Sequence, residues 1–204
     1  MIKYFDIFAG IGGFRSGLEK AGGFECVGYC EIDRYAKKAY ETMYDTEGEV
    51  YYDDARKINP NELPDFDLIC GGFPCQSFSI AGKRGGFDDA RGTLFFEIAR
   101  IAAVKKPKYL LLENVPGLLS HDSGRTFATI LGSLDELGYD VAWQVLNSAN
   151  FRVAQSRKRV FIIGFLREKC AGKVLSFTDA NPKTLVQRIS GREGNRVYSA
   201  DGLS

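Results

Sequence analysis

The sequence predicts an α/β protein with a mostly parallel sheet and helices on both of its faces. Short apolar runs alternate with segments whose apolar residues have helical spacing. A glycine-rich turn follows the first apolar run, and acidic residues follow the second and third apolar runs. In such sheets ligands bind at the carboxyl ends of the strands. The loops that follow Ala9, Cys30, Tyr52, Cys70 and Leu112 are therefore expected to share one rim.

The first half of the chain contains four predicted strands and two predicted helices. The strands are short runs rich in apolar and aromatic residues, and the helices show apolar side chains three or four positions apart. The glycine turn over residues 10–13 separates the first strand from the first helix. In chain order the elements are strand Tyr4–Ala9, helix Phe14–Ala21, strand Phe24–Cys30, helix Arg34–Tyr44, strand Glu49–Tyr52 and strand Asp67–Cys70.

An irregular loop, Gly71–Arg91, interrupts the alternation, which then resumes. Tyr109–Leu112 is wholly apolar, as is typical of a strand buried on both faces. From Arg167 onward the periodicity fades, so we expect one domain over residues 1–166 and a linker over 167–204 that opens a further domain. The later elements are helix Thr93–Lys105, strand Tyr109–Leu112, helix Arg125–Leu137, strand Val141–Asn147 and strand Val160–Phe165.

Composition is that of an ordinary globular protein. With 204 residues, 45% hydrophobic and 26% charged, the chain falls outside the disordered, collagen-like and disulfide-rich classes. No apolar run approaches the roughly 18 residues of a membrane span, and no signal peptide is evident, so a cytoplasmic location is expected. Five cysteines without paired spacing are expected to be free thiols. A net charge of +1 neither requires nor excludes nucleic acid.

The turn Phe8–Gly13 and the acid Glu31 indicate a nucleoside-containing cofactor. Glycines let the backbone bend tightly and let its N–H groups approach a ligand. Glu31 ends the second strand about twenty residues later, where doubly wound folds place an acid on ribose hydroxyls. The turn departs from both the P-loop and the dinucleotide pattern. A turn that merely joins strand and helix is the alternative, which Asp53 and Asp54 make less favourable.

Cys75 is the candidate nucleophile. It follows a buried strand on a turn that Pro74 stiffens, so its thiol is expected at the rim, and only a thiolate is a competent nucleophile. The alternative for a free cysteine is a small buried hydrophobe. That alternative is our interpretation of Cys26, Cys30, Cys70 and Cys170, whose spacing gives no four-ligand zinc pattern.

Glu113 and two arginines complete the candidates. Glu113 follows an apolar strand, where partial desolvation favours a protonated acid that donates to a ring nitrogen. Arg157 and Arg159 have i, i+2 spacing, which in an extended chain directs both to one side, where they could clamp a phosphate or a carbonyl. A solvated strand end and a solvated basic segment are the respective alternatives.

Together these motifs resemble those of the DNA (cytosine-5) methyltransferases of the bacterial restriction-modification type. The resemblance runs from about Tyr4 to Phe165, in the family's order. It implies the class I S-adenosylmethionine-dependent methyltransferase fold, a Rossmann-like sheet with a reversed strand in its final hairpin. The matching motifs are Phe8–Gly13, Pro74–Gln76, Gly92–Phe95, Glu113–Val115 and Gln155–Arg159.

The resemblance implies S-adenosylmethionine as cofactor and duplex DNA as substrate. By matching positions, Glu31 would bind the ribose hydroxyls and Asp54 would reach the adenine amino group. Ile32 and Leu94 would flank the adenine. The pocket would be lined by Phe8, Gly10, Gly12 and Gly13.

The resemblance also implies a covalent mechanism on a cytosine flipped out of the helix. The Cys75 thiolate would add to carbon 6, and Glu113 would hold or protonate ring N3. Arg157, supported by Arg159, would contact the base carbonyl or the adjacent backbone. No metal is required. The segment Ser79–Gly92 would close over DNA, and its Lys83 and Arg84 could equally be surface charge. The implied DNA-binding residues are Gln76, Ser79, Lys83, Arg84 and Arg91.

Members of this family usually continue through a target recognition domain and a final helix that completes the cofactor pocket. Residues 167–204 resemble only the entry into that domain. A fragment, a truncated gene or one subunit of a split enzyme would explain this, the last with a second chain as partner. We therefore expect the chain alone to bind cofactor weakly and to methylate DNA inefficiently. Methylation of transfer RNA and a non-catalytic partner module are the alternative functions.

Overall fold

The computed structural model of the protein describes residues 1–74 and 94–170, together with the backbone of residues 187–189. The described strands form one sheet. These strands are β1 (Ile2–Ile7), β2 (Phe24–Cys30), β3 (Val50–Tyr52), β4 (Leu68–Gly72), β5 (Tyr109–Asn114), β6 (Tyr139–Asn147), β7 (Lys158–Leu166) and β8 (Gln187–Ile189). The helices are α1 (Gly13–Ala21), α2 (Arg34–Met43), α3 (Leu94–Lys105) and α4 (Arg125–Glu136).

The sheet has the strand order β3-β2-β1-β4-β5-β7-β6-β8. Strands β3, β2, β1, β4 and β5 are parallel to one another. Strand β7 is antiparallel to both of its neighbours, β5 and β6, so the last hairpin inserts one reversed strand. The mostly parallel sheet and the reversed hairpin strand confirm the predicted architecture.

Alternate residues of the central strands pack against helices on opposite faces. On one face, Tyr4 of β1 packs with Leu18 of α1, and on the other Phe5 belongs to the large core that includes α3 and α4. The stacked rings of Tyr29 and Tyr40, with centroids 4.4 Å apart, fix α2 against β2. Helices therefore cover both faces of the sheet, as the β-α alternation predicted.

Predicted and observed boundaries differ most where pairing across the sheet extends a strand. Strand β5 continues beyond Leu112 because Glu113 and Asn114 pair with Phe161 and Val160 of β7. In the same way β4 runs to Gly72, inside the predicted loop Gly71–Arg91. Strand β8, which pairs antiparallel with β6, lies in the stretch predicted to be a linker. No pattern within three residues could have indicated it.

A buried acid lies beneath the end of β1. The Asp6 side chain is fully buried and accepts hydrogen bonds from the Tyr40 hydroxyl at 3.3 Å and the Cys70 thiol at 3.7 Å. Burial raises the pKa of Asp6 to about 8, since desolvation disfavours the carboxylate.

Within the described residues, no helix is long and apolar enough to span a bilayer.

The packing at Gly71 yields a direct stability test. A Cβ placed on Gly71 would lie 1.9 Å from the backbone oxygen of Ile7, so Gly71→Ala forces β1 and β4 apart. We expect a loss of about 2–3 kcal/mol in the free energy of unfolding, measured by urea denaturation. The control is Gly132→Ala in α4, where a Cβ meets no atom within 4 Å. It should gain about 0.5–1 kcal/mol, and equal stabilities for the two variants would contradict the packing argument.

Candidate active site

The carboxyl ends of the parallel strands form one rim, and most of the predicted site residues that the structure describes lie along it. The glycine turn and Glu31 follow β1 and β2, and Glu113 lies at the end of β5. The predicted nucleophile Cys75 and the predicted DNA-binding residues Gln76, Ser79, Lys83, Arg84 and Arg91 lie outside the described residues.

Glu31 ties the loop after β1 to the loop after β2. Its Oε2 accepts the N–H of Gly10 at 2.7 Å, and its Oε1 accepts the N–H of Asp33 at 2.7 Å. The Glu31 residue is only 9% exposed. Each carboxylate oxygen has a second lone pair, so the carboxylate can still accept a hydrogen bond from a ligand. The place of this acid in the sequence predicted a ligand-binding role, whereas its role in holding the two loops depends on contacts that only the fold brings together.

The glycine turn adopts backbone conformations that favour glycine. Phe8, Gly10 and Gly12 have φ values of 57°, 57° and 90°. A Cβ placed on Gly10 or Gly13 would meet no atom within 4 Å, so open space adjoins the turn at both positions. The turn therefore has room for a ligand close to its backbone, as its glycines predicted.

The turn is supported from behind by side chains that the sequence analysis did not identify. The Tyr44 hydroxyl donates to the backbone oxygen of Gly12 at 2.9 Å, and its ring fills the space that a Cβ on Gly12 would occupy. The Arg15 guanidinium lies 4.7 Å from the centre of the Tyr44 ring. Arg15 also pairs with Glu49 at 2.8 Å, with both side chains less than a tenth exposed. No local pattern links Gly12 to Tyr44, so the sequence carried no signal for this contact.

The expected adenine-contacting residues differ in their surroundings. Ile32 is 69% exposed at the rim, and Leu94 is half-buried at the start of α3. Asp54 is already engaged, since both of its oxygens accept hydrogen bonds from Arg56. These bonds lower the pKa of Asp54 to about 2. A ligand amino group would therefore share this carboxylate with Arg56.

Glu113 lies over the end of β4 and pairs with an arginine. Its Oε1 is 2.6 Å from the Nε of Arg159, and the two side chains are 25% and 20% exposed. Its Oε2 lies 2.7 Å from the position that a Cβ on Gly72 would take. Because Gly72 has no side chain, the carboxylate reaches the strand end that leads, through Phe73 and Pro74, to residue 75.

Asn114 fixes that strand end to β5. Its side-chain amide donates to the backbone oxygen of Phe73 at 2.7 Å, and its Oδ1 accepts the N–H of Val115 at 2.8 Å. Asn114 is 3% exposed. In the sequence Asn114 is only part of a motif, whereas in the structure it anchors Phe73.

The two arginines differ in their contacts with the described residues. Arg159 alone contacts Glu113. Arg157 precedes β7, and its backbone N–H donates to Asn147 Oδ1 at 3.0 Å. Its side chain is exposed and has no hydrogen bond or ion pair with a described residue. Within the described chain, no group of three or more His, Cys, Asp or Glu side chains could hold a metal ion.

Comparison with known proteins places this site in a family. The profile of the C-5 cytosine-specific DNA methylases matches residues 2–199. The type II methyltransferase M1.ScrFI of Lactococcus lactis subsp. cremoris is 45% identical over 197 residues, which cover 97% of this chain and 49% of that protein. The type II methyltransferase M.NgoBI of Neisseria gonorrhoeae is 50% identical over 167 residues, covering 81% and 51%.

Solved structures agree on the fold. The S. pombe Dnmt2 methyltransferase matches with a TM-score of 0.65 at 20% identity, covering 89% of this chain and 59% of that one. The predicted class I methyltransferase fold is thereby confirmed. The chain spans about half the length of the curated relatives it matches. On the family profile and these identities, the chain belongs to the C-5 cytosine-specific DNA methylase family.

Proposed function

We propose that the chain carries the residues that transfer a methyl group from S-adenosylmethionine to carbon 5 of cytosine in duplex DNA. The observation that carries the proposal is the position of Glu113. Its carboxylate, paired with Arg159, lies over Gly72, three residues before Cys75, at the same rim as the turn that Glu31 holds. An acid and a cofactor loop at one rim, with a cysteine three residues beyond Gly72 in the sequence, fit this reaction.

The chemistry requires a nucleophile because carbon 5 of cytosine is itself weakly nucleophilic. The Cys75 thiolate adds to carbon 6, forming a sulfur–carbon bond, and the electrons of the 5,6 double bond become available at carbon 5. Glu113 acts here in its protonated form and gives that proton to ring N3, which stabilises the charge that develops there. Once carbon 5 carries the methyl group, water takes the carbon 5 proton, the thiolate leaves carbon 6, and N3 returns its proton to Glu113, which restores the ring.

Arg159 and Arg157 have different proposed roles. Arg159 holds the Glu113 carboxyl in place through their 2.6 Å contact and assists binding of the base. Arg157, whose exposed side chain has no partner among the described residues, is free to contact the base carbonyl or the adjacent DNA backbone. The remaining DNA contacts are assigned to Gln76, Ser79, Lys83, Arg84 and Arg91 on sequence grounds alone.

The described residues fit S-adenosylmethionine, which supplies an electrophilic methyl group when bound. Open space adjoins Gly10 and Gly13, and the Glu31 carboxylate keeps free lone pairs for the ribose hydroxyls. The exposed Ile32 and the half-buried Leu94 offer apolar surface for the adenine, and Asp54 can accept from its amino group. Phe8 and Gly12 shape the turn between these groups.

Covalent trapping tests the proposed reaction. Duplex DNA containing 5-fluorocytosine, with S-adenosylmethionine present, should form an adduct that survives denaturant, because the carbon 5 fluorine cannot leave as a proton does. One event per molecule is enough, so slow turnover is no obstacle. Cys75→Ser should abolish the adduct. The control Cys170→Ser should retain it, because this partly exposed thiol contacts the Lys108 oxygen before β5, at the opposite end of that strand from Glu113.

The arms of this experiment separate the alternatives. The incubation is repeated with the remaining half of a type II relative supplied in trans, and with RNA that carries the same base. An adduct with RNA alone would assign the chain to an RNA substrate. Absence of an adduct in every arm would contradict the catalytic proposal and favour a non-catalytic partner module.

Glu31→Gln tests the cofactor site. The amide nitrogen would face a backbone N–H of Gly10 or Asp33, so one of the two bonds that shape the loops is lost together with the anionic acceptor for the ribose. A hydrogen bond to a charged group contributes about 1.5–3 kcal/mol, so the dissociation constant for S-adenosylmethionine should rise about 10- to 100-fold by calorimetry. The exposed control Glu47→Gln should bind like wild type. Equal affinity of Glu31→Gln and wild type would remove Glu31 from the cofactor site.

A further inference from the structure

The loop between β6 and β7 emerges from the rim beside the proposed catalytic acid. Asn147, the last residue of β6, pairs with Lys158, the first residue of β7, and the neighbouring pair is Leu146 with Arg159. Since Arg159 contacts Glu113, this loop adjoins the position proposed for the flipped cytosine.

Hydrogen bonds join the two ends of this loop. The backbone N–H of Ser148 donates to the oxygen of Arg157 at 3.0 Å, and the Ser148 hydroxyl donates to the oxygen of Gln155. Asn147 Oδ1 accepts from the N–H groups of Arg157 at 3.0 Å and Ala149 at 3.2 Å. A 3-10 turn over Ser148–Phe151 then leads to the tip, which we define as Phe151–Val153. These hydrogen bonds therefore hold the tip in place relative to β6 and β7.

The tip presents a cation between two exposed apolar side chains. Phe151 is 48% and Val153 is 51% exposed. Arg152 between them is exposed and has no ion pair or side-chain hydrogen bond with a described residue. Arg152 also has φ of 61°, a backbone conformation that glycine adopts without strain and arginine does not. An arginine held at such a position points to a use for its side chain.

The charge around the tip is uniformly positive. Residues 147–159 include Arg152, Arg157, Lys158 and Arg159 and contain no acidic residue. Glu113 from β5 offsets only Arg159. Such a surface complements a polyanion.

We propose that the tip contacts the DNA backbone beside the flipped cytosine, with Arg152 on a phosphate and the Phe151 ring against a neighbouring deoxyribose. The proposal rests on the proposed function, because it presupposes DNA at this rim. Phosphate contacts position a protein on the duplex and carry no sequence information, so the tip aligns the target base and does not select it.

Salt dependence of DNA binding tests this contact. Each phosphate contact contributes about 0.9 to the slope of log affinity against log salt concentration. Arg152→Gly should lower that slope by about 0.9 and weaken binding to duplex DNA several-fold, measured by fluorescence anisotropy. Its melting temperature should stay equal or rise, because glycine relieves the strained φ. Phe151→Ala should weaken binding with an unchanged slope.

Lys20→Ala is the matched control. It removes the same charge from the exposed end of α1, away from the rim, and should keep the wild-type slope. A wild-type slope and affinity for Arg152→Gly would overturn the tip contact. The proposed function would be unaffected, because it is tested separately by formation of the Cys75 adduct. The tip contact would also be overturned if Arg152→Gly lowered the salt slope for RNA but not for DNA. The same holds if the wild-type chain did not bind DNA.

Discussion

The close approach of β4 to its neighbours determines how the rim is built. A Cβ on Gly71 would lie 1.9 Å from the Ile7 oxygen, and one on Gly72 would lie 2.7 Å from Glu113 Oε2. Because neither residue has a side chain, β1 and β5 close over the end of β4. Asn114 then binds the Phe73 oxygen and fixes the chain two residues before position 75. This packing therefore holds the last residues of β4 against β5, the strand that carries the proposed acid.

The loops after β1 and β2 form the other half of the rim. They too are held by a close contact, which here is made by a carboxylate. Glu31 accepts one backbone N–H from each of two loops and so sets their separation. Behind the turn, Tyr44 and Arg15 fill the space that Gly12 leaves. The desolvation cost of burying a pair such as Arg15 and Glu49 offsets much of its attraction, so its effect is to fix position more than to add stability. Strands β1 and β4, which are neighbours, join the two halves.

Local sequence predicted what depends on local pattern. Strand β2 was predicted at its observed bounds, Phe24–Cys30, and the family followed from motifs whose order and spacing lie in the sequence itself. Contacts between distant segments were not predictable in this way. Which of the two arginines contacts Glu113 depends on the register of β7 against β5. The contact between Tyr44 and Gly12 joins residues that share no motif. Strand β8 exists only through its pairing with β6.

Glu113→Gln tests most directly the proposed role of Glu113 as the acid for the thiol addition, through the rate of adduct formation on 5-fluorocytosine DNA. An amide cannot supply the proton, so the rate at saturating DNA should fall by on the order of a hundredfold or more, with the melting temperature close to wild type. Glu136→Gln, an exposed position at the end of α4, should retain the wild-type rate. An unchanged rate in Glu113→Gln would contradict the claim and leave Glu113 as a partner of Arg159 alone.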